Sequence, residues 1–341
     1  MKKNLLLLML VVFCLVFLSG CTNQPNSDSY QDDALKITIE TDDQVMPNQA
    51  SKMTVYLDSQ VPEEAKNVVI GISNPYGLKI KEVDCMNKCK CTMSDSGVVT
   101  KTGCDADSSC SLYGQPSNIK SGIDSGCYYK SIRSLDEKEI TFALKVPKIE
   151  EIEGGEKTFE PELTLEYDYS GESVFYVPIL RADMTAKDKK TQLTQSFGPI
   201  HINIEKGTST SKEEWEREGN TFSIVINVED VVHPSTTDTL KTPTEIQKEN
   251  FNIYFSHLYP GNSLSNSEDI GRCDLKKIGN QQYTIASDKI TLPLDNPLLC
   301  AIKAEDNINS PSIDGNVRVE YSYRYRYVEK KSINLVTELT K

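Results

Sequence analysis

This chain of 341 residues lacks the motifs by which many hydrolases and metalloenzymes are recognised. It has no Gly-x-Ser-x-Gly, which places a serine nucleophile on a sharp turn, and no His-Glu-x-x-His, which places two zinc ligands on one helix face. Its 3 histidines, His201, His233 and His257, lie apart and form no metal-spaced pair. We therefore expect no catalytic residue, no metal and no cofactor, and we expect the protein not to be an enzyme.

The chain also lacks an excess of positive charge. It has 37 Lys and Arg against 50 Asp and Glu, a net charge of −13. Nucleic acids and anionic lipid headgroups attract basic surfaces, so neither is expected as an electrostatic partner. No Asn-x-Ser/Thr sequon occurs either, so no classical N-glycosylation is predicted.

No apolar run reaches the roughly 20 residues that a membrane-spanning helix needs. The run from Leu5 to Leu18 is 14 residues long, follows Lys2 and Lys3, and ends at Ser19-Gly20-Cys21. A positive start, a short apolar stretch and small residues before a cleavage point are typical of a signal peptide. We therefore expect residues 1–20 to be a signal peptide.

The residues Leu18-Ser19-Gly20-Cys21 resemble the lipobox of prokaryotic lipoproteins. The resemblance implies cleavage before Cys21 and a diacylglyceryl thioether on its sulfur. A thiolate is a good nucleophile for a lipid donor, and two acyl chains anchor stably where one is marginal. The expectation is a protein anchored to the cell membrane through lipid on Cys21 and facing the extracytoplasmic side, with residues 21–34 as a flexible tether. The alternative is an uncleaved signal anchor.

Eight cysteines besides Cys14 and Cys21 predict disulfide bonds. An even number in each of two regions of an exported chain favours this interpretation. The two groups are Cys85, Cys89, Cys91, Cys104, Cys110 and Cys127, and then Cys273 with Cys300. The pairing within the first group stays open, except that Cys89 and Cys91 are too close to bond each other comfortably. A thiolate metal site is the alternative, but the C-x2-C pairs of zinc ribbons are missing.

Period-two alternation of apolar and polar residues predicts β-strands along most of the remaining chain. Leu35, Ile37 and Ile39 begin the pattern. Alternation of this kind buries one face of each strand, and turn residues between short strands indicate a sandwich or barrel. Gly171 is expected to turn the chain between two strands, and short helices are expected at 211–219 and 242–250. Further strands are predicted at 53–57, 68–72, 140–146, 163–169 and 174–180.

The second half of the chain repeats the strand pattern of the first. Residues 200–204 match 35–39, 222–228 match 53–57, and 317–323 match 163–169. Repeats of this size indicate duplicated modules. The chain here resembles the tandem Ig-like modules of prokaryotic surface proteins of the CARDB type.

That resemblance implies an all-β fold of two tandem antiparallel Ig-like β-sandwich domains, at 35–186 and 199–341, joined by a linker at 187–198. The first domain carries a cysteine-rich insert at 84–128, which departs from the family pattern. A long cross-linked insert is either a binding element or a protease-resistant decoration.

Two other groups of residues suggest a site and have simpler explanations. Tyr321, Tyr323, Tyr325 and Tyr327 share one face of a strand, opposite Arg324 and Arg326; this row either stacks a ligand or packs on a core, and we favour the core. Acidic residues in loops could bind calcium, but a solvated loop is the default because no EF-hand pattern is present. These residues are Asp105, Asp107, Glu305, Asp306 and Asp314.

The function predicted from these observations is a non-enzymatic, membrane-anchored module for binding, adhesion or envelope structure. Its partner would be another surface protein or a glycan. The alternative is a secreted hydrolase or metal-dependent binding protein, in which carboxylates or histidines from different strands converge in a cleft.

Overall fold

The period-two pattern becomes a set of mainly antiparallel β-sheets, so the chain is all-β. The computed structural model describes residues 35–59, 64–86, 89–113, 123, 125–148, 157–184, 191–195, 198–207, 216–230, 245–260, 275–291 and 297–336. The predicted signal peptide, Cys21, the tether, Cys273 and His233 lie outside these residues. No helix in the described part of the chain is long and apolar enough to cross a membrane.

The strands of the first half cover most of its described residues. They are β1 Leu35–Thr41, β2 Gln44–Val45, β3 Ala50–Ser59, β4 Ala65–Asn74, β5 Lys79–Cys85, β6 Cys89–Met93, β7 Val99–Thr102, β8 Ser108–Ser111, β9 Ser125–Ile132, β10 Glu137–Lys145, β11 Lys157–Phe159 and β12 Glu162–Leu180.

The second half continues with shorter strands and one long one. They are β13 Gln192–Gln195, β14 Ile200–Lys206, β15 Glu216–Arg217, β16 Thr221–Asp230, β17 Glu245–Gln247, β18 Phe251–Ser256, β19 Leu258–Pro260, β20 Leu275–Lys277, β21 Gln282–Ile285, β22 Lys289–Thr291, β23 Leu298–Ala304, β24 Ser312–Lys330 and β25 Ile333–Leu335.

Three sheets carry most of these strands. A six-stranded sheet has the order β1-β3-β10-β5-β6-β7, and a four-stranded sheet has the order β14-β16-β23-β19. The third and largest sheet has the order β20-β21-β18-β24-β12-β4-β9-β8, with β13 and β15 also paired to β12. The six-stranded sheet contacts it through β5 and β6 against β8 and β9, and the four-stranded sheet contacts it through β14 against β12.

The longest pairing in the molecule joins β12 to β24. It runs without a register shift from the pair Glu162–Lys330 to the pair Leu180–Ser312. The predicted turn at Gly171 is therefore wrong, because Gly171 lies inside β12 and is paired with Tyr321. A Cβ atom at Gly171 would lie 2.5 Å from a ring carbon of Tyr321. A side chain is therefore excluded at position 171 because the ring of Tyr321 lies over the strand there, and not because the chain changes direction.

The two halves of the chain share this sheet. β12 comes from the predicted first domain and β24 from the second, and β25 returns to pair with β11 and β2. Part of the predicted linker, β13, is itself a strand paired with β12. The described residues, from Leu35 to Val336, belong to one compact unit. The division into two separate modules stays a prediction.

The predicted short helices are not seen in the described residues that they cover. Residues 216–217 form β15, and residues 245–247 form β17 followed by a single 3-10 turn at Lys248–Asn250. Segments this short cannot supply the hydrogen bonds that stabilise an isolated helix, so pairing with a neighbouring strand decides their conformation.

Candidate functional site

The six cysteines of the insert form three disulfide bonds. They join Cys85 to Cys127, Cys89 to Cys104 and Cys91 to Cys110. Two of these bonds connect the six-stranded sheet to the largest sheet, because Cys85 and Cys91 lie on β5 and β6 while Cys110 and Cys127 lie on β8 and β9. Cys300 is also disulfide-bonded, and its predicted partner Cys273 lies outside the described residues.

Three of the acidic residues considered for calcium, Asp105, Glu305 and Asp306, contact other groups of the protein. The Asp105 carboxylate accepts hydrogen bonds from the backbone N–H groups of Asp107 and Ser108, at 2.9 and 2.7 Å, which fixes the loop before β8. Glu305 contacts His257 at 2.5 Å, and Asp306 contacts Lys303 at 2.6 Å. In the described ranges, the potential metal-binding group is one of cysteines, not of carboxylates.

The tyrosine row is part of the core, as favoured from the sequence. Tyr321, Tyr323 and Tyr325 are buried on the inner face of β24. Tyr323 and Tyr325 contact Tyr169 and Tyr167 of β12, with ring centroids 5.8 and 5.4 Å apart. The outer face of the same two strands is therefore the one available to a ligand.

A groove lies on that outer face where the two halves of the chain meet. It consists of two adjoining hollows of ≈ 520 and ≈ 600 Å³, within the usual size range of ligand sites. On one side β4 stops pairing with β12 at Asp168, and on the other β18 starts pairing with β24 at Tyr321. The groove is thus formed by the offset ends of two flanking strands.

The floor of the groove consists of small, neutral, polar side chains. Ser170 and Ser322 are directly opposite each other on β12 and β24, and Asn250 of the 3-10 turn completes the floor. These three residues line both hollows. The structure gives their side chains no hydrogen-bond partner within the described part of the chain, so their hydroxyl and amide groups face solvent or a ligand.

One wall of the groove is held by a charge-compensated network. Arg324 donates hydrogen bonds to Asp168 at 2.9 Å and to Glu166 at 3.1 Å. Asn67 donates to the second oxygen of Asp168 at 2.7 Å, and Arg326 lies 3.5 Å from Glu166. Glu166 is only 5% exposed, and a carboxylate buried to this degree needs such partners. This wall is therefore rigid and close to neutral.

The opposite wall is less completely compensated, because Glu172, Glu249 and Glu320 all line it. Glu172 and Glu320 are directly opposite each other, an arrangement that repels unless a cation joins it. Arg318 supplies that cation, 3.2 Å from Glu320 and 3.9 Å from Glu172. Its guanidinium carbon lies 4.6 Å from the ring centroid of Tyr254. Burial, together with the charge of Glu320, raises the pKa of Tyr254, so its hydroxyl stays protonated at neutral pH.

The end of the groove near β4 carries Glu64 and Lys66. A hydrogen bond from Ser131, together with the charge of Arg133, holds the pKa of Glu64 below its ordinary value. Glu64 therefore remains ionised at neutral and mildly acidic pH. The site as a whole can donate and accept hydrogen bonds, and most of its charges are compensated by close partners.

The sequence contained only part of the information about this groove. Arg324 and Arg326 were placed on the strand face opposite the tyrosines, which the structure confirms. Ser170, Ser322 and Asn250 were not identified, because a serine or an asparagine has no distinctive pattern. The shared spacing of Glu-Tyr-x-Tyr in β12 and β24 marks two strands that prove to be cross-strand neighbours.

The described histidines do not lie in this groove. His201 lies 3.5 Å from Gln195, and His257 is engaged with Glu305. No histidine is among the residues that line the two hollows. The described part of the groove therefore has no serine–histidine pair of the kind that activates a nucleophile.

Comparisons with known proteins give little further information. No family model matches the chain, and no curated protein matches it. Among solved structures, the chain is similar to the sporulation control protein Spo0M of Bacillus subtilis, with 11% identity over 56% of this chain and 67% of that one and a TM-score of 0.18. It is also similar to AvmM, which catalyses macrocyclization in alchivemycin A biosynthesis, with 11% identity over 52% and 93% and a TM-score of 0.20.

A third similar structure is the trypsin-activated alpha-2-macroglobulin of Escherichia coli. The identity is 10% over 90% of this chain and 18% of that one, with a TM-score of 0.16. Scores this low support no conclusion about activity or ligand.

Proposed function

We propose that this protein is a lipid-anchored, extracytoplasmic binding protein, and that its groove holds a neutral ligand rich in hydroxyl groups, such as an envelope glycan. The observation that supports the ligand class is the floor formed by Ser170, Ser322 and Asn250, whose polar side chains have no partner in the described chain. The anchor is supported by the lipobox-like residues that end at Cys21.

The electrostatics of the walls favour a neutral ligand. Arg324 is already paired with Asp168 and Glu166, and Arg318 with Glu320 and Glu172. A strongly charged ligand would have to displace these pairs and leave one partner uncompensated, which is costly. The hydroxyl groups of a neutral ligand can instead form hydrogen bonds with the carboxylates, amides and hydroxyls of the groove without breaking these ion pairs.

The same pairing argues against a hydrolase. General acid and base catalysis needs a carboxyl group that is free to exchange a proton with the substrate. Asp168 is engaged by both Arg324 and Asn67, and Glu172 and Glu320 share Arg318. Of the other lining carboxylates, Glu64 lies 3.6 Å from Arg133, and Glu249 is exposed to solvent, unlike the buried carboxyl groups that enzymes use as general acids. The paired carboxylates are placed to position a guanidinium and a ligand, so we favour binding over hydrolysis.

The test is a glycan-binding screen with a chain that begins at Thr22, followed by calorimetric titration of any glycan that binds. Ser170→Tyr should fill the groove and weaken binding by at least about tenfold, or 1.4 kcal/mol. Asn250→Ala should weaken it to a smaller extent, because it removes one hydrogen-bonding group and leaves the groove open.

The matched control is Ser256→Tyr, which adds the same ring to the outer face of β18 away from the groove. It should bind as the parent chain does. Equal affinity of Ser170→Tyr and Ser256→Tyr would show that the groove is not the site. Cleavage of the bound glycan, abolished by Asp168→Asn, would favour the hydrolase.

A further inference from the structure

Two of the three disulfide bonds in the insert lie side by side. The Sγ atom of Cys104 is 3.8 Å from the Sγ atom of Cys110, although these sulfurs belong to different disulfides. The Sγ atoms of Cys89, Cys104 and Cys110 all lie within 4.8 Å of one another. A thiolate released at one of these bonds is therefore already close to a sulfur of the other, which is the condition for disulfide exchange.

The four cysteines of this pair differ in their access to solvent. Cys89, Cys91 and Cys110 are fully buried, at 0% exposure, whereas Cys104 is exposed in the loop between β7 and β8. An external thiolate must reach a sulfur atom to attack it. A reagent in solution can therefore reach these two disulfides only through the sulfur of Cys104.

We propose that the Cys89–Cys104 and Cys91–Cys110 disulfides can exchange with each other. The exchange begins when a dithiol reductant or dithiol oxidoreductase attacks the sulfur of Cys104. The pair is thus a redox modification site in the insert. It is separate from the groove and does not depend on the ligand proposed above.

The reaction is balanced as a two-electron reduction. A thiolate of the dithiol attacks the Sγ of Cys104, the bond to Cys89 breaks, and Cys89 leaves as a thiolate that takes up a proton. The second thiol of the reductant attacks its own mixed-disulfide sulfur, so the reductant departs as a disulfide and Cys104 becomes a thiolate. That thiolate attacks the Sγ of Cys110, a Cys104–Cys110 bond forms, and Cys91 is released as a thiol.

The exchange changes how the insert is attached. In the oxidised protein β6 is held by both Cys89 and Cys91, each bonded to a residue outside that strand. After exchange both of these residues are thiols, and the new bond joins two residues outside β6. Cys85–Cys127 remains, so the two sheets stay connected. β6 is then held by strand pairing with β5, and β7 by strand pairing with β6.

The experiment is stepwise reduction of the full-length protein with dithiothreitol. Free thiols are alkylated after each step, and peptides are mapped by mass spectrometry. Thiols that are free before reduction, such as those of Cys14 and Cys21 in the unprocessed chain, are blocked first. At about two newly released thiols among the six cysteines of the insert, we expect alkylation of Cys89 and Cys91 and a peptide that contains the Cys104–Cys110 bond. Alkylation of Cys89 and Cys104 with Cys91–Cys110 intact would overturn the proposal, and so would simultaneous opening of all three bonds.

A variant tests the last step without a reductant. Cys89→Ser leaves Cys104 as a free thiol, and we expect Cys104–Cys110 with free Cys91 in more than about half of the molecules. The control is Cys300→Ser, which removes a disulfide-bonded cysteine from the four-stranded sheet and should leave the three insert disulfides unchanged. If Cys104 is the free thiol in every Cys89→Ser molecule, the two bonds do not exchange.

Discussion

Tyr321 and Tyr323 stand two positions apart on the inner face of β24 with their rings stacked 6.1 Å apart, yet their hydroxyl groups are in opposite situations. The Tyr321 hydroxyl donates a hydrogen bond to the backbone carbonyl of Ile200 at 2.8 Å, which ties β24 to the start of β14. The Tyr323 hydroxyl is buried and, in the described part of the chain, has no hydrogen-bond partner. Two residues that look equivalent in the sequence therefore contribute differently to stability.

Removing each hydroxyl in turn should show this difference. Tyr321→Phe should lower the free energy of unfolding by roughly 1–3 kcal/mol, because the buried carbonyl of Ile200 loses its donor. Tyr323→Phe should be neutral or stabilising by about 1 kcal/mol, because it removes a hydroxyl that is desolvated without compensation. Urea denaturation measures both values, and equal losses in the two variants would contradict the assignment.

The same burial predicts a loss of stability in alkali. Burial, with smaller contributions from the neighbouring tyrosines, raises the pKa of Tyr323 well above 10. The phenol in the unfolded chain loses its proton near pH 10, while the folded one keeps it. Above pH 10 the folded state therefore binds more protons than the unfolded state. The free energy of unfolding does not depend on this phenol below pH 10, and it decreases as the pH rises above 10.

Tyr323→Phe should reduce this alkaline loss. Burial also raises the pKa of Tyr129. Tyr323→Phe should therefore retain part of the decrease in stability at high pH, and Tyr129→Phe should remove another part of it. The measurement is the free energy of unfolding in urea between pH 8 and 11. Parallel curves for Tyr323→Phe and the parent chain would show that this phenol does not contribute.

The shared sheet makes truncation an informative test of the domain division. If the halves are separate modules, a chain that begins at Ile200 folds by itself. That chain lacks β12, which pairs along the whole length of β24, and β11, which pairs with β25. It would expose a long, hydrophobic strand edge, so we expect an aggregated or molten product with weak near-ultraviolet dichroism. A monomer with a cooperative unfolding transition would instead support two independent modules.

The anchor is tested by one cysteine variant at the predicted lipidation site and one inside the predicted signal peptide. Cys21→Ser should leave the precursor unprocessed or release the protein from the membrane, because serine cannot provide the thioether. Cys14→Ser is the matched control, since this cysteine lies inside the predicted apolar segment of the signal peptide. Detergent partitioning and gel mobility report the result, and identical behaviour of both variants and the parent would remove the lipoprotein interpretation.

The strands that the sequence predicted well are those with a strictly alternating pattern. β1 contains its predicted segment and β10 covers all but the last residue of 140–146, because alternation directly reports that one strand face is buried. Gly171 was misjudged since a glycine between two such segments is usually a turn residue. Its actual reason is the ring of Tyr321, which lies far away in the chain and is brought near only by strand pairing.

The cysteines show the same limit. Their even number, in a chain that we expect to be exported, predicted disulfides, which the structure contains. Their pairing stayed open because it depends on which strands oppose each other: Cys85 reaches Cys127 because β5 lies against β9. The proximity of Cys104 to Cys110 likewise follows from the way in which β6, β7 and β8 are arranged.

From the sequence by itself came the all-β character, the buried tyrosine row and the expectation of an exported chain with cross-linked cysteines. These follow from local features, namely the period of the apolar residues, the composition of the leader and the count of cysteines. The tertiary structure decided the β12–β24 pairing, the groove over Ser170 and Ser322, and the disulfide connectivity. Each of these joins residues far apart in sequence, and the free energy of such contacts comes from surfaces that meet only after the chain has folded.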